Sequence, residues 1–570
     1  MKLPSPAIVT QSAARRLPRW ALLLLCLAYT VPGFIGRAPW RGDDMAAFGY
    51  MQALAQGQTP WLAPLLGGLA PETEGLLAYW LGAWALQIAP TALPAELVTR
   101  LPFVAMLALT LWATWYSVYY LALSPRAQPV AFAFGGEAQP ADYAGAMADG
   151  GLLALLACLG LAQPSHEATS FLVQLCGSSL VFFALAALPY RAVTPWLALI
   201  AGLAGLVLSG APALAMLYSL GGAVLCWWGG QTADALPTRM RRGPLSLRLL
   251  GAASAAAVLA WQLSLWRWRI VWPYTTAQDA ANFGRLLLWF TWPAWPLAVW
   301  TLWRWRQHIT SRQAHRHLLL PLWFVLIAIG GAASTQPSDR ALLLGLPALA
   351  TLAAFALPTL SRSVAALIDW FTLLFFSVSA IAIWVIWIST QTGVPAKPAA
   401  NVAKLALGFE ASFSALTLAL ALAASVAWCV LVAWRTGRHR AAIWKSLVLP
   451  AGGATLGWFL LLTLWLPMLD YARSEAPQVR SIVAAIGQPP CVQTEGLSRS
   501  QMAALQHYGG LQLQPGSRQS DCAWLLTDTH PRTTARIDPQ QWHWQTQMAR
   551  PTDKTDFIRI YHRRAAIQAA

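Results

Sequence analysis

Long apolar runs separated by short polar stretches dominate the chain. Runs near 18–35, 101–123, 149–163, 168–188, 195–209, 212–228, 249–266, 284–303, 317–333, 341–359, 365–389, 410–433 and 446–467 each predict a membrane-spanning helix, about thirteen in all. Residues 36–100 differ, being too polar to span and too apolar for free solvent. There Met45, Phe48, Met51, Leu54 and Ala55 fall on one helical face, which predicts a helix lying in the membrane interface. A second run, Leu76 to Ile88, carries Tyr79, Trp80 and Trp84 and predicts another. Beyond residue 467 the pattern changes to short alternating segments, such as Ser481 to Ile486, Cys522 to Leu526 and Phe557 to Tyr561, with Gly and Pro between them. The expected architecture is an all-α polytopic membrane domain over 1–467 and a small α/β domain over 468–570.

Composition agrees with a lipid-solvated core. The 570 residues are 57% apolar and 11% charged, whereas soluble domains carry roughly a quarter charged residues. The 32 Trp and 38 Pro suit membrane interfaces and kinked helices. A net charge of +17 raises the question of nucleic acid, but the basic residues sit at the ends of apolar runs, where the positive-inside rule accounts for them.

With the N-terminus inside, alternate loops carry Arg191, then Arg239, Arg241, Arg242 and Arg248, then Arg304, Arg306, Arg312 and Arg316, then Arg362, and last Arg435, Arg438, Arg440 and Lys445. The basic start (Arg15, Arg16, Arg19) followed by Trp20 to Ile35 is expected to be a retained signal anchor, since no A-x-A cleavage site follows. An odd number of spans then places residues 468–570 outside. Five cysteines lie in apolar stretches, whereas Cys491 and Cys522 stand alone in the polar tail. In an oxidising compartment that pair is expected to form a disulfide.

The candidate chemistry begins at Trp40-Arg41-Gly42-Asp43-Asp44, at the head of the first loop helix. An Asp there accepts backbone N–H bonds and opposes the positive helix end. Two adjacent carboxylates exceed what one cap needs, so one is left to serve as general base or acceptor for a substrate hydroxyl or amine. After the helix come Gly57-Gln58-Thr59-Pro60-Trp61-Leu62-Ala63-Pro64-Leu65-Leu66-Gly67, the pair Tyr79-Trp80, and Arg100-Leu101-Pro102 opening the next span. Weaker features are Trp289-Phe290-Thr291-Trp292-Pro293 and Asp339-Arg340 before Pro347.

In these features the chain resembles the polyprenyl-phosphate-sugar glycosyltransferases of the GT-C fold, among them the lipid A aminoarabinose transferases and protein O-mannosyltransferases. The resemblance implies an inverting hexosyl- or pentosyltransferase in a bacterial inner membrane. Its donor would be a polyprenyl-phosphate-linked sugar and its acceptor lipid A, another glycolipid or a protein, on the periplasmic face. It also implies Asp43 as the catalytic carboxylate, with Asp44 beside it.

Three family cations are absent. A lysine gives way to Glu72-Thr73-Glu74-Gly75, another to Leu208-Ser209-Gly210-Ala211-Pro212, and an arginine to Ala46. A departing phosphate needs positive charge, so Arg340, Arg267, Arg269 and Arg100 are the candidate phosphate ligands, with Arg285, Lys397 and Lys404 also facing outward. His166, Glu167, Glu74 and Tyr79 are candidates for a polar cavity. His166 and Glu167 are also candidates to share a divalent metal ion with Asp43 or Asp44, but a solvated loop is the plainer reading and no metal-ligand spacing specifies an ion. Two other classes remain open at this level: a transporter or flippase of a lipid-linked substrate, and a non-catalytic relative.

Overall fold

In lipid every backbone N–H and C=O must find a partner within its own segment, so apolar runs fold as helices. Each predicted run is helical, as one helix or as two or more in succession. The computed structural model describes residues 5–73, 75–90, 92–229, 242–267, 270–271, 274, 276–311, 314–437, 442–516, 521–529, 531–534 and 537–564. Arg239, Arg241, Arg269, Arg312, Arg438, Arg440 and Glu74 lie outside the described residues.

Continuous spans are fewer than the apolar runs. Among the described residues six helices are long and apolar enough to cross a membrane, or eight if two bent pairs each count as one. Pro140–Ala157 turns by 66° into Leu159–His166, and Lys445–Leu461 turns by 71° into Leu466–Arg473. The expected span at 284–303 is two helices, Ala277–Phe290 and Ala294–Arg304, meeting at Trp292-Pro293. Proline lacks an N–H and disfavours helical geometry in the residue before it, which accounts for that break.

Burial separates the helices into two kinds. The span Ser170–Ala187 is enclosed by its neighbours along nearly its whole length, whereas Arg362–Thr392 and Ala415–Thr436 show their apolar side chains to the outside. Leu367, Leu374, Val378 and Ile381 are all exposed on Arg362–Thr392. That is the surface expected where lipid is the solvent.

The first-loop helix, Asp43–Ala55, departs from expectation. Met45, Phe48, Met51 and Leu54 are buried, but so are Ala47, Tyr50 and Ala53 on its other sides. It is therefore enclosed by protein and does not lie with one face in lipid. Its neighbours are the helix Leu77–Ile88 and the tail helix Arg499–Gly509. Leu77–Ile88 keeps the interfacial character, with Trp84 and Ile88 exposed and Trp84 stacked on Trp61 at 6.2 Å.

The tail starts with the helix Ala476–Ile486 and forms a five-stranded sheet. Its strands are β1 (Val492–Glu495), β2 (Leu513–Pro515), β3 (Trp524–Asp528), β4 (Trp542–Arg550) and β5 (Asp553–Arg563), in the order β2-β1-β3-β5-β4. β1 runs parallel to both β2 and β3, so the chain needs a crossover between β1 and β2. Arg499–Gly509 is that crossover. It opens with a capping box between Ser498 and Gln501 and closes on Gly510 in the left-handed region. Cys491 and Cys522, just ahead of β1 and β3, are joined by a disulfide with their Cα atoms 5.3 Å apart.

The tail docks where two helices come unusually close. A Cβ added at Gly49 would lie 2.5 Å from the Ala503 Cβ and 3.3 Å from its Cα. Glycine and alanine thus set the spacing between the loop helix and the tail helix. Gly49→Val should cost about 1–3 kcal/mol through overpacking and loosen the tail. Amide exchange in 499–509 should accelerate while the membrane helices stay protected; unchanged exchange there would show that the contact does not hold the tail.

Candidate active site

The two acidic residues of the first loop have different surroundings. Gly42 precedes the helix with φ 91° and ψ −134°, a conformation that favours glycine. Asp44 consequently points back into the protein and is 3% exposed. Its carboxylate lies 2.8 Å from the Arg37 Nη1 and 3.7 Å from the Arg100 Nη2. It also accepts the backbone N–H groups of Trp40 at 3.0 Å and Ala168 at 3.1 Å. Burial alone pushes this carboxyl up, but Arg37, Arg100 and the two backbone donors together hold it below the usual range. With its oxygens occupied in this way, Asp44 is a structural anion. The capping idea changes accordingly, since Asp44 bonds the chain before its helix and a distant loop, and not the helix's own first turn.

Arg37 carries that anchor further. Its Nη2 donates to the His166 carbonyl at 2.9 Å, and its guanidinium sits 4.5 Å from the Trp40 ring centre. Trp40 in turn donates its Nε1 to Asp470 at 2.7 Å. Arg100 donates to the Arg37 carbonyl. Arg100 is therefore a structural cation and not a free phosphate ligand, because both of its outer nitrogens face protein acceptors at a buried position.

Asp43, one residue earlier, faces the other way. It is part-exposed and lines a cavity of about 240 Å³, together with Arg41, Tyr50, Glu72, Thr73, Tyr79 and the tail residues Ser498, Arg499 and Ser500. Burial pushes its carboxyl up. Arg340 offsets this only in part, and Glu72, Asp339 and Asp44 add to the rise. A carboxylate of raised basicity at the wall of a cavity has the position and proton affinity of a general base.

Arg340 lies 3.6 Å from Asp43 and 3.9 Å from Asp339, and donates to Glu167. Glu167 is 4% exposed, and burial pushes its carboxyl up against the pull of Arg340. One guanidinium thus serves three carboxylates. Its charge is already engaged, which suits it to positioning Asp43 more than to capturing a phosphate unaided. Tyr79 reaches the cavity, with its hydroxyl 3.4 Å from the Thr73 Oγ1.

His166 does not join this group. Its ring is buried against Tyr29, Phe34 and Trp458, and both nitrogens face backbone carbonyls, of Ala162 and Tyr29. Neither nitrogen is left for an ion shared with Asp43 or Asp44, and no cluster of three metal-ligating side chains occurs among the described residues. Arg267, Arg285, Lys397 and Lys404 are exposed and line no part of the cavity; Arg285 lies in the helix Ala277–Phe290, and Lys397 and Lys404 in the helix Ala396–Leu405. Arg269 and Glu74 fall outside the described residues.

The residues that sequence reading missed are Arg37, Arg41 and Arg499. Arg37 carried a weak signal as the first cation after an apolar run. Arg41 lies inside the Trp40-to-Asp44 stretch, and Arg499 carries no local signal in the polar tail. Asp44→Asn should lower stability by about 3–5 kcal/mol, because it strands Arg37 and Arg100 as buried cations. Asp43→Asn should leave the unfolding temperature near that of the wild type. Thermal unfolding of the two purified variants checks this, and equal destabilisation would contradict the division of roles.

No protein-family model matches the sequence, and no curated protein matches it. Two solved structures share its fold: ArnT from Cupriavidus metallidurans bound to undecaprenyl phosphate, and the same protein in its apo state. Each aligns with a TM-score of 0.59 at 14% identity, covering 95% of this chain and 97% or 98% of the other. At that identity the likeness is one of fold, and it extends over almost the entire chain. The chain therefore shares the fold of ArnT, with several helices long and apolar enough to cross a membrane and a small C-terminal sheet.

Proposed function

We propose that the chain is a membrane glycosyltransferase that moves a sugar from a polyprenyl-phosphate donor to a hydroxyl or amine acceptor at the outer face of a bacterial inner membrane. The observation that carries this reading is Asp43: a part-exposed carboxylate of raised basicity at a cavity wall, beside an engaged arginine and above a neutralised ionic anchor. The undecaprenyl phosphate in one of the structures of like fold supports the donor class.

In the proposed reaction the acceptor oxygen or nitrogen attacks the anomeric carbon from the face opposite the phosphate. The bond from that carbon to the phosphate oxygen breaks, and the acceptor proton passes to Asp43. Polyprenyl phosphate leaves with one more negative charge than the phosphate bore in the donor, and the anomeric centre inverts. Asp44, already holding two arginines and two amides, takes no proton. Lipid A, another glycolipid and a protein are all acceptors compatible with an open cavity at this level.

The outside location rests on separate features. Trp444 donates to the Arg15 carbonyl and Arg435 to the Lys445 carbonyl, so the basic ends of distant helices gather together. Positive charge of that kind marks the cytoplasmic side. The disulfide of the tail fits an oxidising compartment.

Transfer from a labelled polyprenyl-phosphate sugar should fall about 10²–10⁴-fold in Asp43→Asn, the range for loss of a general base. Equal transfer by wild type and variant would sink the assignment, and substrate flux without transfer would favour a transporter. The wild-type rate should decline as pH falls through the Asp43 pKa. That limb should lie above the ordinary carboxylate range of about 4, because burial disfavours the ionised form. Arg340→Gln removes the cation that lowers this pKa, so the limb in kcat/KM should move to still higher pH. A limb that stays in place would detach Arg340 from the base.

A further inference from the structure

The tail brings to the cavity a cation that the membrane helices do not supply. Arg499 occupies the first position of the helix Arg499–Gly509, where the capping box fixes its backbone. Its Nε donates to the Ala70 carbonyl at 2.7 Å, which holds the guanidinium over the first loop. It lines the same cavity as Asp43 and Tyr50.

Charge distinguishes Arg499 from the other arginines nearby. Arg340 is shared by Asp43, Asp339 and Glu167. Arg41 stands 4.0 Å from Glu475, 3.6 Å from Asp553 and 2.9 Å from Asp556. Among the described residues no carboxylate comes within ion-pair distance of Arg499. The cavity wall thus combines the carboxylates of Asp43 and Glu72 with Arg41, which is already paired, and Arg499, which among the described residues has no ion-pair partner, while the engaged Arg340 contacts Asp43 from outside that lining. An anion that enters beside Asp43 meets its counter-charge at Arg499. A guanidinium presents forked N–H donors that match the paired oxygens of a phosphate.

We infer that Arg499 binds the phosphate of the polyprenyl-phosphate donor, so that the tail domain completes the donor site. This rests on the transferase reading of the same cavity. As the bond to the anomeric carbon breaks, the phosphate gains one negative charge, and a fixed guanidinium stabilises that charge at the moment it develops. The arrangement also couples the tail to the ligand: the contact of Gly49 with Ala503 positions the helix that carries Arg499.

The test uses the full-length protein in detergent and measures equilibrium binding of undecaprenyl phosphate, with uncharged undecaprenol as the control probe. Arg499→Gln should weaken undecaprenyl phosphate about 10- to 100-fold, the range for a hydrogen bond to a charged group, and leave undecaprenol unchanged. Arg499→Lys keeps the charge but loses the forked donors and the Nε bond to Ala70, so its affinity should fall between those of the wild type and Arg499→Gln. Arg480→Gln, on the exposed side of another tail helix, should bind as wild type does. If the glutamine variant does not fold, Arg499→Met makes the same neutral comparison with the stem retained.

Wild-type binding by Arg499→Gln, or equal losses in the glutamine and lysine variants, would overturn the inference. A parallel loss of undecaprenol would do the same by assigning the effect to packing. Binding that depends on Arg499 without sugar transfer would uphold the phosphate site and defeat the transferase reading. Asp43-dependent transfer with no effect of Arg499 on binding would defeat the inference alone.

Discussion

The site depends on the buried contact of Asp44 with Arg37 and Arg100. These three side chains come from the first-loop helix, the end of the first apolar run and the start of the next long span. Charges taken out of water at that depth persist only when closely paired and hydrogen-bonded. Here the pairing extends through the Trp40 and Ala168 amides and the His166 carbonyl to segments far apart in sequence. One consequence is that the first turn of the loop helix has a fixed direction. Asp43 is then set at the cavity wall because its neighbour is held beneath it.

The tail belongs to the same construction. The cavity around Asp43 is closed by Ser498, Arg499 and Ser500. Ser500 donates to Glu475 at 3.0 Å and accepts the Gly42 N–H at 2.9 Å, tying the tail to the glycine that begins the loop helix. The loop helix, expected at the lipid interface, instead lies between Leu77–Ile88 and Arg499–Gly509. The apolar residues on it that looked suited to lipid are satisfied by protein, which offers the same escape from water and adds close packing. The cavity wall on that side is closely packed for this reason.

The outer helices show the complementary arrangement. Arg362–Thr392 and Ala415–Thr436 present apolar side chains outward and hold few buried residues. Ser170–Ala187 is almost fully enclosed.

Sequence alone determined the membrane class, the helical nature of every apolar run and the change to an α/β tail, because hydropathy and periodicity are local properties that lipid and backbone hydrogen bonding read directly. It also singled out Asp43-Asp44, through their place after the first run and the motifs that follow. It did not separate the two. Adjacent carboxylates are chemically alike, and only the turn at Gly42 and the arginines from two other segments make one a buried anion and the other a cavity residue. Likewise His166 and Arg100 looked available in a linear reading and are consumed by carbonyl and ion-pair contacts. Arg499, more than 450 residues beyond Asp43, carried no local sign of its place. A cavity between the first loop and the tail is decided by long-range packing, here by the close approach at Gly49 and Ala503, and tertiary structure alone brings those two surfaces together.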